Sequence, residues 1–176
     1  MPHTAMVSQS GLRVPTTRSI GEEPRGAELS VLQGFPYPAA YRTPATCDVV
    51  ATNTAFAEMF PGLEPGTNLL TWMLLDPMAR CVLVEWELEA QLLVQRFRKS
   101  APQAESGRIE EILTLCRRAP DWNRLWGEEI RVPDTAQRLL LVRDAETGHE
   151  RAMYAHTFGF EAPPRPWLLY TLVPAT

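Results

Sequence analysis

Past Glu129 the apolar residues of this chain change their period, and that change limits the folds open to it. Over residues 77–100, Ala79, Val82, Leu83, Trp86, Ala90, Leu93, Val94 and Phe97 recur at three- and four-residue steps, the spacing of one core-facing helix stripe. After Glu129, runs at 130–132, 138–143, 150–160 and 167–173 are rich in branched and aromatic residues, as strands are. In the last run Trp167, Leu169, Thr171 and Val173 face one way, and Leu168, Tyr170 and Leu172 the other. Asp144-Ala-Glu-Thr-Gly148 reads as a hairpin turn with glycine near its end, where a positive φ is often needed. An earlier strand is expected over 47–52. Residues 35–41 are expected to be extended, because residues before proline avoid the helical region. Strands, then helices, then an antiparallel meander is an α+β pattern, with one face of the sheet under the helices.

Within the helical half, Asn68-Leu-Leu-Thr-Trp-Met-Leu-Leu-Asp-Pro-Met-Ala-Arg80 forms a corner. Asn68 caps a short apolar helix. Asp76 caps the next, and Pro77 fits its first turn because the missing N–H has no partner to lose there. The second helix is predicted to run unbroken over 77–100, with Glu85, Glu87, Glu89, Gln91, Gln95, Arg96 and Arg98 on its solvated side. Asn53 caps a helix over 54–60 that Pro61-Gly62 ends, with Phe56, Met59 and Phe60 on one face. Further helices are expected over 108–118, with Ile109, Ile112, Leu113 and Cys116 inward, and after Ala119-Pro120-Asp121, with Trp122, Leu125 and Trp126 in register. Residues 1–28, rich in Ser, Thr, Gly, Pro and mixed charge, read as a disordered or loosely attached tail, and 29–176 as one folded domain.

The chain has 176 residues, enough for one core without a disulfide or metal to staple it. A net charge of −4 disfavours a nucleic-acid surface, where a basic stripe is expected. No apolar run is long enough to span a bilayer, and no signal peptide is visible, so neither a membrane nor export is expected. Cys47, Cys81 and Cys116, widely spaced, fit reduced thiols of a cytoplasmic protein, each a small buried hydrophobe. The bias to Arg, with Lys99 the single Lys, fits a GC-rich bacterial genome.

The chemistry-bearing motifs are few. No P-loop, G-x-G-x-x-G, G-x-S-x-G or zinc-ligand spacing occurs, so no metal, cofactor or catalytic constellation is expected. His3 lies in the tail and His149 follows the turn glycine. His156, with Tyr154 and Phe158 on its face by period two, would meet a ligand if that face were the inner one. Five tryptophans stand out, four of them in the helical region, and apolar pockets are lined by such side chains with few polar anchors. The candidate lining is Phe56, Phe60, Leu70, Trp72, Met73, Leu83, Trp86, Trp122 and Trp126 from the helices, with Tyr154, His156 and Tyr170 from the strands. Arg80, beside the corner, is the candidate partner for a ligand carboxylate, the competing reading being a salt bridge to an Asp or Glu.

An ordered series of motifs resembles one family, the MmyB-like transcription-regulator ligand-binding domain. Asp48-Val-Val-Ala-Thr-Asn53 with Ala55 resembles its W-D-V-L-A-W-N-x-A segment, with Thr52 at the usual Trp. The run from Asn68 to Arg80 resembles N-L-L-R-x-x-F-L-D-P-x-A-R, and Glu85-Trp86-Glu87 resembles D-W-E. Ala119-Pro-Asp-Trp-Asn-Arg-Leu-Trp126 resembles S-P-E-F-R-x-L-W, and Leu168-Leu-Tyr-Thr171 through Pro174 resembles the closing L-x-V-Y-T-A-x-P. The family's His-Pro near the hairpin glycine is replaced by Asp144-Ala145. The resemblance implies a PAS-like fold of about five antiparallel strands and a small hydrophobic ligand, with fatty acid as the known type. The family's usual helix-turn-helix is not seen ahead of this domain. The expected partner is therefore a DNA-binding regulator protein, or a second copy of the chain, with no direct nucleic-acid contact. A closed-pocket interaction module and a small biosynthetic accessory protein or enzyme, with His156 as its only catalytic candidate, are the alternatives.

Overall fold

A computed structural model describes residues 23–130 and 138–175. Its elements are α1 (Ala27–Gly34), β1 (Ala39–Arg42), β2 (Val49–Thr52), α2 (Thr54–Met59), α3 (Leu69–Leu75), α4 (Pro77–Val82), α5 (Trp86–Ser100), α6 (Ser106–Cys116), α7 (Trp122–Gly127), β3 (Leu139–Arg143), β4 (Glu150–Phe158) and β5 (Leu168–Pro174). The strand expected over 130–132 lies almost wholly outside the described residues, as does most of the tail.

The five strands form one antiparallel sheet in the order β2-β1-β5-β4-β3. Ala40 sits opposite Tyr170, Tyr154 opposite Val173, and Leu141 opposite Ala152. The fold is α+β, with the PAS-like sheet expected. β2 and β3 are its two edges, and α2 to α7 lie between them in the chain. The helical segment therefore leaves at one edge, crosses the sheet and rejoins it at the other, so a single layer spans the full width of one face.

The caps explain where the helices begin. The Asn53 carboxamide oxygen accepts from the Phe56 N–H, that of Asn68 from the Leu70 and Thr71 N–H groups, and the Asp76 carboxylate from the Met78 N–H. The helix expected over 77–100 is broken. Leu83 is extended and bridges Val142, and the Val84 N–H donates to the Leu141 carbonyl at 3.1 Å. Pairing with the sheet edge thus replaces one helical turn. Glu89, Gln91 and Gln95 are buried and not solvated, because α7 and α3 pack on α5 and Glu89 and Gln95 turn into the cavity. Gln91 shows how α7 does so, donating to the carbonyls of Leu125 and Glu128 at 2.9 Å each.

The main core lies between helices and sheet. It includes Phe56, Trp72, Val82, Trp86, Val94, Phe97, Ile112, Leu125 and Leu172. A second cluster, Leu32, Ala39, Tyr41, Ala51, Trp167 and Leu169, lies apart from it, with Phe35 and Phe160 against it. Here α1 packs on β1 and β2, and the Tyr41 hydroxyl donates to the Glu28 carbonyl at 2.7 Å. Trp167 and Leu169 fall in this cluster and Leu172 in the main one, the alternation expected of the last strand. Cys47 and Cys116 are buried, whereas Cys81, on the outer side of α4, is exposed.

Candidate ligand pocket

Between the sheet and the helical layer lies a cavity of about 460 Å³. That is the size of a small-molecule site. One wall is apolar and held in place. Phe56 and Phe60 lie 4.9 Å apart between ring centroids, and Phe60 meets Trp72 edge-on at 6.0 Å. The Trp72 indole N–H donates to the Pro61 carbonyl at 3.0 Å, which fixes the ring. Met73, Leu83, Leu93 and Leu140 continue this wall. The floor is the sheet: Ala40 of β1, Ala155 and Thr157 of β4, and Tyr170 of β5.

The polar part of the lining is mostly cationic: Arg42, Arg96, Lys99 and Arg138, with Glu89 and Gln95. Arg42 is buried, its guanidinium 5.6 Å from the Tyr170 ring centroid and within 3.7 Å of the Cys47 sulfur. Arg96 and Lys99 stand exposed one turn apart on α5. Arg138 pairs with Glu89 at 2.5 Å. Among the described residues, no carboxylate pairs with Arg42, Arg96 or Lys99. Burial pushes the Tyr170 phenol and the Cys47 thiol above their ordinary values, so both stay neutral near pH 7. The site is an apolar chamber with a positive polar end.

Of the residues expected in the lining, Phe56, Phe60, Trp72, Met73, Leu83 and Tyr170 meet around this cavity. Leu70 is buried in the core outside the lining. Trp86 is a structural strut, its indole N–H donating to the Met73 carbonyl at 2.8 Å. Arg80 lies outside the lining, with its guanidinium 3.3 Å from the Trp86 ring centroid and 2.5 Å from Asp121, so it ties α4 to the start of α7. Trp122 and Trp126 lie outside the lining and pack on each other, with centroids 4.8 Å apart and rings tilted by 31°. Tyr154 and His156 point to the opposite face of the sheet from Ala155 and Thr157. They are exposed there, with His156 stacked on Phe158 at 6.2 Å. The polar end escaped sequence reasoning. Its one signal is that Glu89, Leu92, Leu93, Arg96 and Lys99 repeat at helical steps along α5, a second face beside the apolar stripe.

Among the described residues, no cluster of His, Cys, Asp and Glu could hold a metal ion. No helix among them is long and apolar enough to cross a membrane. The sheet order, the helical layer and a roomy cavity between them define a small-molecule-binding domain of PAS-like architecture. The family model for the MmyB-like transcription regulator ligand binding domain matches residues 25–176, and the chain belongs to that family. A comparison with curated proteins finds no match to the chain.

Proposed function

We propose that this domain binds a small amphipathic acid, with a fatty acid as the type, and serves transcription regulation in the cytoplasm through a protein partner. The observation that carries the reading is the union in one cavity of a rigid aromatic and aliphatic wall with three cations, Arg42, Arg96 and Lys99, that no carboxylate among the described residues neutralises. Each methylene of an acyl chain buried against that wall is worth about 0.8 kcal/mol. A carboxylate at the other end gains charge-assisted hydrogen bonds from Arg side chains. The two exposed cations, Arg96 and Lys99, favour the approach of an anion.

The output follows from which elements wall the cavity. Leu83 and Leu140 belong to the junction where the α4–α5 break pairs with the edge strand β3. A ligand that fits only one spacing of helices and sheet shifts the population of that edge arrangement. A partner that reads the edge then carries the signal to DNA. The net charge of −4 suits a protein partner better than a phosphate backbone. Self-association is expected through the outer sheet face, where Tyr154 and Phe158 stand exposed.

Native mass spectrometry of protein purified from its own host tests the reading. A co-purifying acyl lipid is the expected result. An empty protein that shows no thermal shift with fatty acids of several lengths overturns it. In a gel shift with the region upstream of its own gene, no band from the domain alone is expected.

A further inference from the structure

The polar end of the cavity contains more than positive charge. Arg138 meets Glu89 through one nitrogen and one oxygen, at 2.5 Å. The other terminal guanidinium nitrogen, Nη1, and the other carboxylate oxygen, Oε1, are shut from solvent and make no hydrogen bond among the described residues. The Gln95 amide nitrogen is likewise buried and unpaired. Glu89 and Gln95 are only 9% and 6% exposed, and all three side chains line the cavity. Elsewhere the unpaired Gln91 oxygen and Trp167 nitrogen are isolated and line no part of it. Each buried polar atom left unpaired costs about 1–3 kcal/mol. Three on side chains that line one cavity, two of them in the same Glu89–Arg138 pair, point to a site that is incomplete without its occupant.

The three atoms differ in what they ask for. Arg138 Nη1 only donates, and Glu89 Oε1 only accepts. A plain carboxylate satisfies Arg138 but sets its own negative oxygens against Glu89, a like-charge contact. Turning the Gln95 amide about exchanges a buried donor for a buried acceptor and leaves the demand of Glu89 in place.

We propose that the ligand is an acyl acid whose headgroup also carries an N–H or O–H donor within a few bonds of the carboxylate, the donor meeting Glu89 and the acceptor meeting Arg138. Such groups occur in N-acyl amino acids and in β-hydroxy acids. The acid then lies toward Arg96 and Lys99, and the chain runs along Phe60 and Trp72. This rests on the amphipathic-acid reading above and narrows it.

The test is isothermal titration of the full chain, freed of co-purified lipid, with hexadecanoic acid, its β-hydroxy analogue and N-hexadecanoylglycine. At least one of the two donor-bearing acids binds tighter than hexadecanoic acid by about tenfold or more, the value of one hydrogen bond to a charged group. Which of them gains identifies the source of the donor. In Glu89→Met the preference falls to about one. If that variant fails to fold, the wild-type comparison still decides. Hexadecanoic acid binding as tightly as both analogues, or a preference that survives Glu89→Met, overturns this inference alone. Failure of all three acids to bind overturns the amphipathic-acid reading as well.

Discussion

Replacing Asn53 by Ala should destabilise the pocket wall, because this one side chain ties the start of α2 to β1. Asn53 is buried and makes bonds in two directions. Its oxygen accepts from the Phe56 N–H at 2.9 Å, starting α2, and from the Ala39 N–H at 3.0 Å, fixing β1. Its nitrogen donates to the Tyr37 carbonyl at 2.8 Å. The side chain therefore holds Phe56 and Ala40, two residues of the cavity lining, in one frame. Loss of a cap costs about 1 kcal/mol. The two further buried hydrogen bonds, whose backbone partners are left unpaired, cost about 1–1.5 kcal/mol each. The sum is about 3–4 kcal/mol, or a fall in Tm on the order of 10 °C for a domain of this size. Urea unfolding followed by tryptophan fluorescence, with calorimetry, measures it. Asn53→Ser keeps the cap but not the reach to Tyr37, so it should lose about half as much. A loss below about 1 kcal/mol for Asn53→Ala, or full stability in Asn53→Ser, refutes the reasoning.

Two further outcomes are expected. Burial alone would raise the Asp48 carboxyl, but hydrogen bonds from Arg108 and Asn68 outweigh it and hold the group below its ordinary value. Its contribution is therefore complete above the unfolded carboxylate value near pH 4 and fades as pH falls through the lower folded value. Asp48→Asn should lower Tm at pH 7, by the equivalent of about 1 kcal/mol, and the gap to wild type should close in acid melts below about pH 4. Exchanging both Arg96 and Lys99 for Gln should weaken binding of a long-chain acid several-fold, with little change in its binding of the matching alcohol. Titration calorimetry at two salt concentrations checks it, since the loss should shrink as salt rises.

What the sequence made legible was local. Asn53, Asn68 and Asp76 announce helix starts because an N-cap needs only a side chain and the next three residues. The alternation of the last strand is legible for the same reason, since both of its faces are buried and period two is visible in one run. The break at Leu83 was not legible. It arises from the Val84 N–H meeting Leu141, far along the chain, and the apolar stripe runs through it undisturbed. Trp72 lines the cavity, but the other three helical tryptophans lie outside it for a physical reason. Trp86, Trp122 and Trp126 have the composition of a pocket but pair with backbone, Arg80 and each other. The polar end was hidden because Glu89 and Gln95 are residue types that usually face water, and only the tertiary packing around α5 turns them into the cavity.

The cavity as a site for an acyl acid is tested most directly by a fluorescent fatty acid titrated into two proteins, wild type and Ala155→Trp. Ala155 is exposed on β4 and faces the cavity, so tryptophan there fills the chamber without displacing a core side chain. Wild type should bind one equivalent saturably and release it to unlabelled hexadecanoic acid, while Ala155→Trp keeps its unfolding midpoint and loses the binding. Absence of saturable binding in wild type, or binding undiminished in the filled variant, contradicts the cavity as the site.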